Sequence, residues 1–259
     1  MIDLRLGDVY NEIHKIPDNS VDLIIIDPPY DMSDFGGIGY GNKPNQSGTR
    51  MSMRPKQVAT SKGDLFNKPS IKKLAENADG LRSSFDYKIL LNEFSRIQPV
   101  WNMYIFCNAK LLQKILAYLY SIEYTRVEIL VYHKKNPLPS WKGHYMNDME
   151  YCLYLCDDKN SQLDFGDDPY VNSSKLYQGY INDKHTTHPT EKPLALIAKL
   201  LKNSSKEGDL VLDCFSGSGT TAHACKILNR NFLGYEKNEE YYKESLARLN
   251  TQCQGCFEL

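Results

Sequence analysis

Short apolar runs alternate along the chain with amphipathic stretches. Seven runs rich in β-branched and aromatic residues predict strands: IDLRL, VDLIIID, WNMYIFCN, RVEILVYH, MEYCLYLC, DLVLDCF and NFLGYE. Apolar residues at helical spacing predict helices over 87–97, 111–120, 193–202 and 238–249. The stretch LIII inside the second run is apolar at every position, which is typical of a strand buried on both faces. Strands that alternate with helices favour an α/β fold with a mostly parallel sheet and helices on both faces.

Two long polar segments interrupt this pattern. Residues 31–85 are rich in Gly, Ser, Asn and Lys, and residues 138–187 carry Pro, Trp, Gly, His and many polar side chains. Loops of this length are uncommon inside a compact domain and are usually functional or disordered. We therefore predict one domain over residues 1–259, with two substrate-contacting insertions at the working edge of its sheet.

Composition adds charge and compartment to this picture. The net charge of −1 gives no overall sign of a polyanionic partner, but basic residues crowd the stretch from Lys43 to Lys73, where Asp64 is the sole acidic residue. No run resembles a membrane span or a signal peptide, so we expect a cytoplasmic protein with reduced cysteines. Cys253 and Cys256 have zinc-like spacing without a second pair, and no metal site is predicted.

A glycine-rich loop lies near the C-terminus, in DLVLDCFSGSGTTAHACKIL. The strand passes through Gly217 and Gly219 into a helix that begins near Thr220, so backbone N–H groups face a polar or anionic ligand. No lysine follows the second glycine, which excludes a P-loop, whereas Gly217, Gly219 and Ala222 fit a dinucleotide fingerprint loosely. The next predicted strand ends in Glu236, an acceptor for ribose hydroxyls. The pattern favours an adenosine-containing cofactor, either a dinucleotide or S-adenosylmethionine.

The second predicted strand ends in the sequence DPPY. Asp27 follows the strand directly, Pro28 and Pro29 fix φ and remove two backbone donors, and Tyr30 offers a flat ring. This set suits a planar exocyclic amine whose two N–H groups are accepted by the Asp27 carboxylate and the Pro28 carbonyl. In-plane acceptors favour a geometry in which the amine nitrogen can attack an electrophile. None of the cysteines follows a proline, which argues against covalent catalysis on a ring carbon.

The order of these motifs resembles the amino-methyltransferases that act on DNA bases, in the group often called beta. The resemblance covers nearly the whole chain. It is carried by LGD at 6–8, DPPY at 27–30, YHKKNP at 132–137, HPTEKP at 188–193, VLDCFSGSGTT at 211–221 and GYE at 234–236. It implies the Rossmann-like, seven-stranded, mostly parallel sheet of class I S-adenosylmethionine-dependent methyltransferases. The chain would be circularly permuted, with the N-terminal strand beside NFLGYE.

The resemblance also implies the cofactor, S-adenosylmethionine, and its contacts. Residues 213–220 would wrap the methionine part, Glu236 would take the ribose hydroxyls, and Asp8 would reach the adenine edge. HPTEKP would lie against the methionine carboxylate, with Pro193 at the first position of the next helix. The implied cofactor-binding residues are Asp8, Asp27, Thr190, Lys192, Asp213, Phe215, Ser216, Gly217, Ser218, Gly219, Thr220 and Glu236.

By the same resemblance, the catalytic residues are Asp27, Pro28, Pro29 and Tyr30. Asp rather than Ser at position 27 is the form typical of adenine N6 enzymes, and N4-cytosine methylation is the alternative. The target base would be flipped out of the duplex, with residues 31–85 as a catalytic and DNA-contacting loop and 138–187 as a target-recognition insertion. DNA is the implied partner, and the family allows a homodimer and an associated restriction endonuclease.

Two other classes compete with this interpretation. A nicotinamide oxidoreductase built on the glycine loop would leave DPPY unexplained. A DNA-binding protein that has lost catalysis would not need both motifs intact.

Overall fold

Eight strands form one sheet in the part of the chain that the computed structural model describes. That part comprises residues 1–29, 85–137, 145–157, 163–180, 186, 188 and 190–250. The strands are β1 (Ile2–Leu6), β2 (Leu23–Ile26), β3 (Asn102–Cys107), β4 (Val127–Lys134), β5 (Met149–Cys156), β6 (Leu176–Gly179), β7 (Leu210–Asp213) and β8 (Asn231–Glu236). Their order in the sheet is β1-β8-β7-β2-β3-β5-β4-β6. All neighbours are parallel except β5, which is antiparallel to both β3 and β4.

Helices connect most of these strands. They are α1 (Val9–Glu12), continued by a 3₁₀ turn (Ile13–Lys15), α2 (Tyr87–Ile97), α3 (Ala109–Ser121), α4 (Pro169–Asn172), α5 (Leu194–Ser204), α6 (Thr220–Ile227) and α7 (Glu239–Asn250). The four predicted long helices are confirmed. The start of α3 lies two residues before the predicted one because the side chain of Asn108 accepts a hydrogen bond from the backbone N–H of Leu111 and caps the helix there. Pro193 is the residue before α5, not its first residue as predicted.

The predicted permutation is confirmed by the strand register. β1 pairs in parallel with β8 from Ile2 opposite Phe232 to Leu6 opposite Glu236. The predicted count of seven strands is wrong by one, because β6 lies inside the segment 138–187 and pairs in parallel with β4. β5 lies in the same segment and occupies an interior place in the sheet, so this segment is not an insertion throughout. Its role in DNA recognition stays a prediction.

The sheet is covered on both faces by separate hydrophobic clusters. Ile24 and Ile26 of β2 point into the cluster that contains α2 and α3, whereas Leu23 and Ile25 point into the cluster that contains α5 and α6. All four are fully buried. This is the environment that the run LIII predicts, and each such side chain contributes roughly 1.5–3 kcal/mol by leaving water. No helix in the described ranges is long and apolar enough to cross a membrane.

Candidate active site

β2 and β7 lie side by side at the point where the sheet order reverses. Ile24 is opposite Leu212, so Asp27 just after β2 and Asp213 at the end of β7 lie at the same edge. The strand that follows β2 in sequence, β3, lies on one side of this pair in the sheet, and the strand that follows β7, β8, lies on the other side. In open α/β sheets such a switch point forms the crevice in which ligands bind.

The glycine loop after β7 is shaped by contacts that exclude a side chain. Gly217 and Gly219 have φ values of +48° and +70°, in the left-handed region. A Cβ atom added at Gly219 would lie 2.9 Å from the Cβ of Ser245, and one added at Gly217 would lie 3.1 Å from Nε2 of His188. The hydroxyl of Ser245 donates to the carbonyl of Gly217 at 2.7 Å, so α7 holds the loop from behind. The loop is thus held at the switch point by contacts from both sides, and the backbone N–H of Ser216 is donated to the Tyr235 carbonyl.

Glu236 ends β8, and Asp8 follows the end of the neighbouring strand β1. The Glu236 carboxylate accepts hydrogen bonds from the backbone N–H groups of Gly217 at 2.8 Å and Asn238 at 2.7 Å. Gly7 donates its backbone N–H to the Glu236 carbonyl, and the next residue, Asp8, accepts from the backbone N–H of Tyr10 at 3.1 Å. Glu236 therefore braces the glycine loop, a role that its position at a strand end does not reveal.

Burial makes this edge unfavourable for negative charge unless a cation binds there. Asp213 is 4% exposed and accepts a hydrogen bond from the backbone N–H of Phe215 at 3.0 Å. Burial raises the pKa of the Asp213 carboxyl to about 7, although hydrogen bonds from Phe215 and Thr221 act against it. Burial also raises the pKa of Glu236. Together with Asp8, these two carboxyl groups form an acidic edge that suits a cationic ligand with hydroxyl groups.

Lys192 lies between two carboxylates. Its Nζ atom is 2.5 Å from Oδ2 of Asp27 and 2.9 Å from Oε1 of Glu150. Burial disfavours the charge on Lys192, but the two carboxylates outweigh this effect and raise its pKa. The structure thus brings Lys192 to Asp27, and its predicted contact with the cofactor stays a prediction. Sequence reasoning missed Glu150, whose only signal is a carboxylate in the otherwise apolar run MEYCLYLC.

A second buried ion pair joins HPTEKP to the glycine loop. Nη1 of Arg248 in α7 lies 2.8 Å from Oε1 of Glu191, and both side chains are at most 5% exposed. The same nitrogen donates to the carbonyl of Ser218 at 3.2 Å and to the hydroxyl of Thr220 at 2.9 Å. Arg248 was not predicted, because nothing in the pattern of a C-terminal helix marks an arginine for burial.

The remaining predicted site residues lie as follows. Pro28 is buried and Pro29 is half-buried after Asp27, while Thr190 is exposed. Phe215 packs edge to face on Phe85, with ring centroids 5.6 Å apart. Ser216 and Ser218 are buried in the loop. The predicted residues that lie outside the described part are Tyr30, residues 31–84 and, within the segment 138–187, residues 138–144, 158–162, 181–185 and 187; Cys253 and Cys256 lie outside it as well. Among described side chains, no group of three or more His, Cys, Asp or Glu is arranged to hold a metal ion.

Comparison with known proteins places this site in a family. A family model described as DNA methylase, for N6 and N4 methyltransferases, matches residues 21–247. The chain is 26% identical over 260 residues to the type II methyltransferase M.HinfI of Haemophilus influenzae, with 94% of this chain and 67% of the relative covered. It is 26% identical over 266 residues to M.HpaI of Haemophilus parainfluenzae, with 94% and 72% covered.

Solved structures agree on the fold. The crystal structure of an M1.HpyAVI–SAM complex matches with a TM-score of 0.61 at 24% identity, covering 96% of this chain and 100% of that one. The cytosine-N4-specific PvuII DNA methyltransferase matches with a TM-score of 0.66 at 14% identity, covering 97% and 87%. The family model spans well over half of the chain, and the chain belongs to the DNA methylase family.

Proposed function

We propose that the chain transfers a methyl group from S-adenosylmethionine to the N6 amine of an adenine in DNA, with the base flipped out of the duplex. The observation that carries the proposal is the position of Asp27. Its carboxylate lies at the switch point, on the strand next to Asp213 and the glycine loop. An acceptor for the target amine and a loop for the cofactor thus share one crevice.

The described residues fit S-adenosylmethionine. The acidic edge formed by Asp8, Asp213 and Glu236 suits the positive charges of this ligand, and Glu236 and Asp8 can accept hydrogen bonds from its ribose and adenine. M1.HpyAVI, which has the same fold, forms a complex with SAM in its crystal structure. When bound, S-adenosylmethionine supplies an electrophilic methyl group on a positively charged sulfur. Asp27, Thr190, Lys192 and residues 213–220 are the further contacts that we propose.

The residues after β2 orient the target amine. Asp27 accepts one N–H of the amine and the carbonyl of Pro28 accepts the other, so the nitrogen lone pair is directed out of the conjugated ring. The nitrogen would form a bond to the methyl carbon as the methyl–sulfur bond breaks and the sulfur leaves as a neutral thioether, and the nitrogen would lose one of its protons to Asp27 or to solvent. Pro29 stiffens the turn, and we propose that Tyr30 stacks on the base. Extrusion of that base costs a few kcal/mol, which contacts from the segments 31–85 and 138–187 would offset.

The choice of adenine over cytosine rests on the side chain at position 27. The family resemblance associates Asp at this position with adenine N6 enzymes and Ser with N4-cytosine enzymes. The alternative is N4-cytosine methylation, the specificity of the PvuII enzyme, which has the same fold. Mass analysis of nucleosides from methylated DNA separates the two, since N6-methyl-2′-deoxyadenosine and N4-methyl-2′-deoxycytidine differ in mass.

The test of the whole proposal compares two aspartates at opposite ends of one strand. Asp27→Ala removes the carboxylate at the site, whereas Asp22→Ala removes an exposed carboxylate at the other end of β2. We expect Asp27→Ala to lose transfer of labelled methyl groups to DNA by about a hundredfold or more while it still binds S-adenosylmethionine in a calorimetric titration. Asp22→Ala should keep both properties. Retained transfer in Asp27→Ala would refute the proposed role, and binding of NAD instead of S-adenosylmethionine would point to an oxidoreductase.

A further inference from the structure

Four charged side chains of alternating sign form a line that ends at Asp27. Lys192 lies 2.5 Å from Asp27 and 2.9 Å from Glu150, and the other carboxylate oxygen of Glu150 lies 3.2 Å from Nζ of Lys134. Lys192 and Glu150 are 6% and 8% exposed. The charges of the line cancel, which is the condition under which buried ions are tolerated.

The sheet topology explains how Glu150 reaches this line. β5 runs antiparallel to β3, so its first residues lie at the edge where β3 ends, with Tyr151 opposite Cys107. Glu150 precedes Tyr151 and is opposite Tyr132 of β4. The ammonium group of Lys192 also lies 5.1 Å from the ring centroid of Phe106, the penultimate residue of β3. The ammonium group of Lys192 is therefore held in position by the Phe106 ring and by two carboxylates.

We propose that Glu150 is a positioning residue that acts on Asp27 through Lys192, by sharing the ammonium group between two carboxylates. The inference rests on the proposed function, in which Asp27 accepts a hydrogen bond from the target amine. A lysine with Asp27 as its sole carboxylate partner would donate to it fully and compete with the amine. When Lys192 is shared with Glu150, the Asp27 carboxylate can accept a stronger hydrogen bond from the target amine. The positive charge of Lys192 still favours the ionised form of Asp27.

Removal of the cation should expose the coupling between the two carboxylates. Asp27 and Glu150 both contact Nζ of Lys192. Without this lysine the two carboxylates are close neighbours of like charge with little solvent between them. One of them then holds a proton to higher pH. The titratable groups that interact with Asp27 in the described part are Lys192, Asp213, Cys107 and Cys152, and Glu150 lies beyond Lys192, paired in turn with Lys134. Burial raises the pKa of both thiols far above neutrality, so they stay uncharged in the range of interest.

The decisive experiment titrates Asp27 in the cofactor-free protein by carboxyl ¹³C NMR, with the resonance assigned by its loss in Asp27→Asn. In Lys192→Met we expect the midpoint of Asp27 to rise by about 1–3 pH units. Adding Glu150→Gln should return it toward the wild-type value, because the like charge is gone. The matched control adds Glu128→Gln to Lys192→Met. It removes a carboxylate on β4 whose ion pair is with Lys175, outside the line of charges, and should leave the midpoint raised.

A single variant tests the same coupling if Lys192→Met does not fold. Glu150→Gln alone leaves Lys192 with Asp27 as its carboxylate partner and should lower the titration midpoint of Asp27. In turnover, Glu150→Gln should lower kcat by about tenfold or more with little change in KM for DNA, and Glu150→Asp should recover part of the loss.

The outcomes separate the two proposals. Equal midpoints in Lys192→Met and Lys192→Met/Glu150→Gln, or an unchanged midpoint in Glu150→Gln, overturn the role of Glu150. A full wild-type rate in Glu150→Gln overturns it as well. If the midpoints move as expected but the wild-type protein transfers no methyl group to DNA, the shared cation stands and the proposed function fails.

Discussion

Replacing Asp213 by asparagine should stabilise the ligand-free protein at alkaline pH and leave its stability nearly unchanged in acid. Asp213 is buried at the end of β7, where its carboxyl accepts the backbone N–H of Phe215. Asparagine keeps that acceptor, and its amide can donate to the hydroxyl of Thr221. The substitution thus removes the charge and little else.

The size of the effect follows from the pKa of this group. Burial raises it from an ordinary value of 3.8 to about 7, so the folded protein holds a proton between these pH values that the unfolded chain releases. Below about pH 4 both the folded and the unfolded protein hold this proton, and the wild type has its full stability. The folded state loses stability relative to the unfolded state as the pH rises through 7. A difference of about three pH units corresponds to ~4 kcal/mol. Above pH 8, Asp213→Asn should therefore exceed the wild type by about that amount.

Urea unfolding from pH 4 to pH 9 measures this difference. Asp209→Asn is the matched control, because Asp209 precedes the other end of β7 and is less buried than Asp213. We expect the stability gain of Asp213→Asn over the wild type to shrink toward zero near pH 4, and Asp209→Asn shows whether removing a less buried aspartate beside the same strand has any comparable effect. Saturating S-adenosylmethionine should stabilise the wild type more at pH 8 than at pH 5, since a cation favours the ionised carboxylate. A gain that does not depend on pH would refute the reasoning.

Two further predictions concern the glycine loop and the segment that packs on it. Gly219→Ala should lower the free energy of unfolding by about 1–3 kcal/mol, since the new Cβ meets Ser245 at a positive φ. Ser245→Gly in the same chain should recover part of the loss in urea unfolding, and no recovery would contradict the assigned clash. Glu191→Gln should cost about 3–5 kcal/mol, because Arg248 stays buried without its carboxylate. The double variant Glu191→Leu/Arg248→Met should regain most of the lost stability in thermal unfolding. If the double variant is as unstable as Glu191→Gln, the loss is not caused by an unpaired charge.

Local signals were sufficient for most of the secondary structure. The run LIII predicted a strand buried on both faces, and Ile24 and Leu23 do point into opposite clusters. The pair Gly217 and Gly219 predicted a tight turn into a helix, and both residues have positive φ. These features depend on neighbours in sequence, which a pattern can report.

Other features depend on partners that are distant in sequence. β6 has four residues that alternate between exposed and half-buried, too short a pattern to separate from a loop. Glu191 reads as an acidic residue before a helix, where a charge is favourable for local reasons. Its buried partner Arg248 lies in the last helix of the described chain, and the pairing of the two appears only once α7 is packed behind the glycine loop.

The permuted strand order gives the crevice an electrostatic polarity. Asp27 follows the second strand of the chain and Asp213 ends the seventh, yet these strands are neighbours. On the side of β7, β8 and β1, the described strand ends carry the carboxyl groups of the acidic edge. On the side of β3, β5 and β4 lie Lys134 at the end of β4 and Glu150 near the start of β5, and Lys192, from the residues before α5, pairs with Glu150 there. We propose that a zwitterionic ligand in this crevice is oriented, with its cationic groups toward the glycine loop and its carboxylate toward Lys192. Asp27 lies on the boundary between the two halves, where a neutral amine can approach the positive end of such a ligand without crossing the lysines.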